Sequence, residues 1–328
     1  MKKAIVTGGA GFIGSHMVEL LLQEGFRVIV LDNMSNGQLD NVELFKDHPH
    51  YQFYNVDLAQ EFDDTLFKDV DYVFHMAALA DIVPSIEEPF KYHQSNVTAT
   101  IRVLEACRKH NIKKMVYSAS SSCYGIPDTY PTSEGADIRP EYPYAFMKYV
   151  GEQYALFWNK LYKLPVVSLR YFNVFGTRAR TNGTYGAVFK VFLSQKLHQK
   201  PLTIVGDGTQ TRDFTYVTDI TRANLMAARS DLNGKIINIG TGNPQSVNYL
   251  AQLIGGTMVK IPKRPGEPDS THADISRAKE LLDWKPTISF EQGVSTMLEN
   301  IEYWNSAPVW DPQSIEEATK AWFSYLST

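Results

Sequence analysis

The sequence predicts an α/β protein, a doubly wound parallel sheet with a smaller α/β lobe interleaved at its C-terminal side. Three observations predict it. Short apolar runs alternate with stretches of helical period through the first half of the chain, the order that yields strand–helix–strand units and a parallel sheet. A glycine-rich turn, Gly8-Gly9-Ala10-Gly11-Phe12-Ile13-Gly14, joins the first apolar run to the first helix. Asp32 and the serines from Ser118 to Ser122 follow directly on such runs. That places them at the carboxyl ends of the expected strands, where open parallel sheets hold ligands.

Composition sets the outer bounds. The chain has 328 residues, 44% hydrophobic and 21% charged, enough for one large or two moderate globular domains with a sizeable core. A formal net charge of −4 gives no long-range attraction to nucleic acid or to an anionic membrane, so an anionic ligand needs a local cluster of donors. Cys107 and Cys123 are the only cysteines, no apolar run approaches the roughly 18 residues of a membrane span, and Met1-Lys2-Lys3 leads straight into a strand. The expectation is a cytoplasmic, disulfide-free protein without a nucleic-acid or membrane partner.

In chain order, 3–7 reads as a strand and 12–23 as the helix behind the glycine turn. Glycines at 8, 11 and 14 allow a tight turn, close approach of a pyrophosphate to the backbone and close helix packing, with the helix N-terminus facing the anion. A second strand, 27–31, ends in Asp32, 21 residues after Gly11. A carboxylate there accepts from both ribose hydroxyls of an adenosine and repels a 2′-phosphate, so the reading is a Rossmann domain for NAD rather than NADP. Asp57 and Leu58 close a third strand, 51–56, where they flank an adenine. The strand 71–75 ends in His75 and a run of small residues, Ala77 and Ala78, that lets the chain pass close to a cofactor. His75 reads as structural, because no His, Cys, Asp or Glu accompanies it at metal-ligand spacing; no metal is expected. A helix over 89–109 contains Asn96, and the strand 114–118 delivers the serine cluster. Tyr144 and Lys148 then lie one turn apart on a helix over 144–161, on the same face. A phenol titrates near about 10 unperturbed, and a fixed ammonium beside it favours the phenolate, a usable general base.

The motifs Gly8-x-x-Gly11-x-x-Gly14, Asp32, Asp57-Leu58, His75-x-Ala77-Ala78, Ser118 to Gly125, Tyr144-x-x-x-Lys148 and Arg170-Tyr171-Phe172-Asn173-Val174-Phe175-Gly176 stand in one order, with a 24-residue step from Ser120 to Tyr144. Together they resemble the extended short-chain dehydrogenase/reductase family of NAD-dependent nucleotide-sugar epimerases and dehydratases, and most of all its UDP-sugar 4-epimerases of the N-acetylglucosamine or glucuronate type. The resemblance spans roughly residues 1–300. It implies a NAD-binding domain over 1–170 with a return segment near 215–240, and a nucleotide-sugar lobe over 171–328. It places Gly8, Gly11, Phe12, Ile13, Gly14, Asp32 and Asn33 against NAD, together with Asp57, Leu58, Ala77, Ala78, Asn96 and Lys148.

On the sugar side the resemblance assigns Asn173, Arg212 and Arg264 to the sugar diphosphate and Glu267 to a ribose, with Ser121 touching the sugar. Two guanidinium forks suit a pyrophosphate. Family dehydratases carry Asp-Glu where this chain has Ser121 and Ser122, and serines do not supply acid/base chemistry near neutral pH. The implied reaction is therefore inversion at C4 of a UDP-hexose through a transient 4-keto sugar. Tyr144 is the base, Lys148 lowers its pKa, and Ser120 with Ser122 bonds O4. A 4,6-dehydratase or a C4 oxidase is the alternative, and a nonenzymatic NAD-binding regulator a third reading. Thr271 stands where the family carries a size gate, and a small residue there implies that UDP-GlcNAc and UDP-GalNAc are accepted, with UDP-GlcA or UDP-Glc as alternative substrates. A homodimer through the helices near 90–109 and 144–161 is implied as well. The chain runs on past the family's usual end into an expected amphipathic helix over 314–326, bearing Trp322, Phe323 and Tyr325, that docks on the body or on a partner.

Overall fold

The structure, a computed structural model, describes residues 1–183 and 185–326. Its strands in chain order are β1 (Lys3–Thr7), β2 (Arg27–Asp32), β3 (Tyr51–Asn55), β4 (Tyr72–His75), β5 (Lys114–Ser120), β6 (Val166–Tyr171), β7 (Asn173–Phe175), β8 (Leu202–Val205), β9 (Thr211–Arg212), β10 (Phe214–Tyr216), β11 (Lys235–Ile239), β12 (Gln245–Ser246) and β13 (Met258–Ile261). Seven of them form one sheet in the order β11-β6-β5-β4-β1-β2-β3, and each neighbouring pair is parallel.

Helices cover both faces of that sheet, so its inner strands are apolar on both sides: Ala4, Ile5 and Val6 of β1 are all fully buried. One face packs Met17, Val30 and Ile220, the other Ile29, Val103 and Tyr117. The chain order reverses at β1, which has β2 on one side and β4 on the other. The loops after β1 and β4 therefore diverge and leave a crevice at the carboxyl edge. The remaining strands pair two by two, β7 with β10, β8 with β13 and β9 with β12, around a second core rich in phenylalanine. There Phe175 stacks on Phe189 at 4.5 Å and Phe214 on Phe290 at 5.2 Å.

Two helices differ from their sequence expectation. The helix expected over 89–109 runs as Pro89–His93 and Ala99–Lys109 joined by a single π turn, Gln94–Thr98. That wide turn carries Asn96, and its extra residue turns the amide onto the loop after β4. The helix expected over 314–326 is two short ones, Pro312–Ala318 and Lys320–Leu326. The break falls at buried Thr319, whose φ/ψ of −108°/6° leaves the helical region while its hydroxyl bonds back to the Ile315 carbonyl at 2.7 Å. Among the described residues no helix is long and apolar enough to cross a membrane.

Candidate active site

A cleft of about 670 Å³ runs along the carboxyl edge of the sheet and continues into the second lobe. Its floor at the sheet end is the turn after β1. Gly8 has φ +71°, and a Cβ there would stand 2.7 Å from the Ala77 nitrogen. A Cβ on Gly14 would stand 2.1 Å from the Gly8 carbonyl oxygen. Gly11 begins the helix Phe12–Gln23 and has no side chain to cap it, so the first helical N–H groups stay available at the cleft. This cradle is shaped for a pyrophosphate lying on the backbone, and it fits a dinucleotide.

Asp32 ends β2 at the cleft. Its carboxylate accepts from the amides of Ala10 at 3.0 Å and Met34 at 2.9 Å, which fixes its orientation; burial raises its pKa while those two bonds oppose the rise. Asn33, Asp57, Leu58, Ala77 and Ala78 line the same end. Asn96 does not line it. Its amide is spent on both backbone groups of Leu79, donating at 2.9 Å and accepting at 2.8 Å, so it fixes the small-residue loop from behind. His75 bonds Thr7 at 2.8 Å and Thr100 at 3.0 Å, and burial holds its pKa down at about 3: it is a neutral strut.

Tyr144 and Lys148 project into the middle of the cleft from the helix Pro143–Tyr162. Ser120, the hydroxyl neighbour that favours the Tyr144 phenolate, bonds Ser122 at 2.7 Å. Ser121 and Ser122 sit on the single 3-10 turn that follows β5. Burial raises the Tyr144 pKa, and among its larger influences only Ser120 pulls the other way. The price of burial falls on Lys148 too, which drops to about 8 despite Glu152 nearby, its ammonium lying 4.6 Å over the Tyr117 ring. The physical reason is desolvation, which disfavours both charged forms in an enclosed site. Glu152, one turn beyond Lys148, is locked to Arg170 at 2.5 Å with both side chains buried.

At the far end Arg212, Arg264 and Glu267 line the cleft together. Glu267 lies between the guanidiniums, 3.2 Å from Arg264 and 3.9 Å from Arg212. Arg264 also donates to the Tyr185 hydroxyl. Asn173, at the start of β7, faces the cleft, whereas Thr271 stands behind it and donates to its carbonyl oxygen at 2.7 Å. Nothing local in the sequence singles out Asp213. It is fully buried and accepts from Thr241, Gly242 and Ala273, tying together the segments that carry Asn173, Arg212 and Thr271. Arg180 was missed as well; it bridges the two halves by donating to Asn36 and to Asp81 at 2.7 Å. A local signal existed for Glu152, four residues after Lys148 on the same face, but none for Asp213, whose partners are 28 to 60 positions away.

A parallel sheet with a glycine cradle, an acid closing its second strand and a Tyr-Lys pair on one helix face defines a dinucleotide-dependent enzyme of the short-chain dehydrogenase/reductase class. Residues 4–240 match the NAD dependent epimerase/dehydratase family, and the chain belongs to it; NAD is its cofactor. The UDP-N-acetylglucosamine 4-epimerase of Methanobrevibacter ruminantium, solved with UDP-N-acetylmuramic acid, superposes with a TM-score of 0.85 at 37% identity over 91% of this chain and 99% of that one. The UDP-glucuronic acid 4-epimerase of Bacillus cereus, solved with UDP-glucuronic acid and NAD, gives a TM-score of 0.85 at 34% identity over 92% and 99%. The UDP-glucuronate 4-epimerase of Thermodesulfobacterium geofontis is 35% identical over 93% of this chain and 99% of its own length.

Proposed function

We propose that this chain is a UDP-sugar 4-epimerase that inverts C4 of UDP-GlcNAc and UDP-GalNAc through a transient 4-keto sugar. The observation that carries the reading is the single cleft. It has a dinucleotide cradle and Asp32 at one end, two arginines with Glu267 at the other, and Tyr144 with Lys148 between them. That the similar chains above act on UDP-sugars supports the same substrate class here.

Tyr144 takes the proton of the sugar 4-hydroxyl, and Ser120 steadies the same oxygen as it becomes a carbonyl. NAD, which the glycine turn and Asp32 would hold, would supply the hydride acceptor and donor for C4 and a positive charge near Tyr144. Lys148, protonated below about 8, supplies a second positive charge in the same enclosed space. Arg212 and Arg264 hold the diphosphate while the sugar turns about its linkage, and Tyr144 then gives the proton back. Ser121 and Ser122 offer no acid or base for elimination, which favours return of the hydride over dehydration. The 2-acetamido preference rests on the resemblance at Thr271, which stands behind Asn173 and not on the cleft wall.

Proton NMR tests the reading with UDP-GlcNAc, UDP-glucose and UDP-glucuronic acid incubated separately and no cofactor added. The expected outcome is new H1 and H4 signals of the C4 epimer, strongest for UDP-GlcNAc. A 4-keto-6-deoxy methyl doublet would replace the epimerase with a dehydratase.

A homodimer belongs to the same proposal. Phe90, Phe146 and Phe157 are more than half exposed on the helices Pro89–His93 and Pro143–Tyr162. Light scattering behind a sizing column is expected to give twice the 37.1 kDa of the chain.

A further inference from the structure

The C-terminal segment after Trp310 is not an appendage on the surface. Asp311 caps the helix Pro312–Ala318, whose Ile315 is buried in the second lobe's core. The chain then turns back toward the sheet, and the helix Lys320–Leu326 delivers Trp322 to the cleft, where it is 4% exposed. Three contacts fix the indole. Its N–H donates to the Pro265 carbonyl at 2.7 Å, its ring lies 5.5 Å from the Arg264 guanidinium carbon, and its centroid is 6.3 Å from that of Tyr142.

Each contact leads to a group already placed in the site. The Arg264 guanidinium is also 4.7 Å from the Tyr185 ring, so two aromatic side chains pack around it. Its two terminal nitrogens are held by Glu267 at 3.2 Å and by the Tyr185 hydroxyl, so a phosphate oxygen shares or displaces those acceptors while the two aromatic side chains keep the fork in place. Tyr142 stacks on Tyr144 with the rings 6° from parallel, beside the bonded pair Ser120 and Ser122. Trp322 thus stands between the arginine of the diphosphate and the tyrosine at the reacting carbon, where a hexose joining the two would lie.

We propose that Trp322 is a substrate-positioning residue. Its indole holds Arg264 in place for the diphosphate of a nucleoside-diphosphate sugar and forms the wall of the sugar space between Arg264 and Tyr144. The proposal deepens the epimerase reading and rests on it for the identity of the sugar.

The test uses the full-length chain with Trp322→Leu and Trp322→Phe, calorimetric titration with UDP alone, and steady-state turnover of UDP-GlcNAc. Loss of the aromatic contact in Trp322→Leu is expected to weaken UDP binding and raise KM by about tenfold, with kcat within about twofold. Trp322→Phe, which restores a ring, is expected to recover most of the loss, and bound NAD stays at the wild-type level in both. In an Arg264→Lys background, which lacks the planar fork, the leucine substitution is expected to cost little more. Unchanged UDP affinity in Trp322→Leu, or a loss equal in both Arg264 backgrounds, overturns the proposal. Should the leucine variant fold poorly, the Trp322 indole N–H resonance, assigned by its absence in Trp322→Phe, is followed on titration with UDP. A shift supports the proposal and a constant position overturns it. Because UDP binding is read without turnover, a wild-type chain that binds UDP yet converts no sugar nucleotide overturns the epimerase reading alone.

Discussion

The two ends of the cleft are built from different materials. At the cofactor end the ligand meets backbone: Gly8 and Gly14 are pressed so close to Ala77 and to each other that a single methyl would collide. At the sugar end it meets side chains, Arg212, Arg264 and Glu267, brought together by short two-stranded pairings and by hydrogen bonds between distant segments. The difference teaches where each half is vulnerable. The cofactor end is sensitive to volume, the sugar end to charge and to the partners that orient it, and Tyr144 lies at the seam between them.

Four substitutions separate these sensitivities. Tyr144→Phe at the seam is expected to have the largest effect, a fall in turnover of about a thousandfold with UDP affinity nearly unchanged. Near-normal turnover by NMR would remove Tyr144 from the chemistry. Gly14→Ala tests the volume claim. Its Cβ would lie 2.1 Å from the Gly8 oxygen, so the variant is expected to purify with roughly a tenth of the wild-type NAD, or less, measured by absorbance after denaturation. A wild-type complement of NAD would show that the turn gives way.

Lys148→Met sets function against stability. A lysine whose folded pKa is lowered to about 8 costs stability below that pH, because the folded state must hold a buried ammonium. The cost fades as the pH rises from about 8 toward the unfolded value of 10.5. The methionine variant should therefore be inactive yet more stable by about 1–3 kcal/mol at pH 7, with the gain shrinking at pH 9.5, in urea unfolding. Equal stability at both pH values would show that Lys148 carries no such strain. The smallest effect is expected at Thr271→Tyr, which removes the hydroxyl held between Asn173 and the Asp213 amide. It should lower turnover of UDP-GlcNAc relative to UDP-glucose by about tenfold. Equal loss of both sugars would leave Thr271 with a structural role only.

The parts of the site that the sequence made legible are those whose geometry is local. A glycine turn between a strand and a helix and a Tyr-Lys pair one helical turn apart are fixed by a few consecutive backbone angles, so Gly8, Gly11, Gly14, Tyr144 and Lys148 were readable in place. Asp32 was readable because β2 is short and must end beside β1. The parts that were not legible depend on residues far apart in the chain. Asp213 has meaning only through Thr241 and Ala273, and Asn96 turns away from the cleft because the helix around it widens by one residue. Trp322 reaches the cleft only because Thr319 breaks the last helix in two.

By itself, then, the sequence determined the class of sheet, the glycine cradle and the spacing of Tyr144 and Lys148 on one helix face, since each follows from apolar period and spacing within one or two elements. The tertiary structure alone decided how deeply Tyr144 and Lys148 are buried, which raises the pKa of the one and lowers that of the other. It alone decided, too, that the final helix belongs to the site rather than to the surface. Desolvation and long-range packing are properties of the enclosed cleft, and no stretch of the chain contains them.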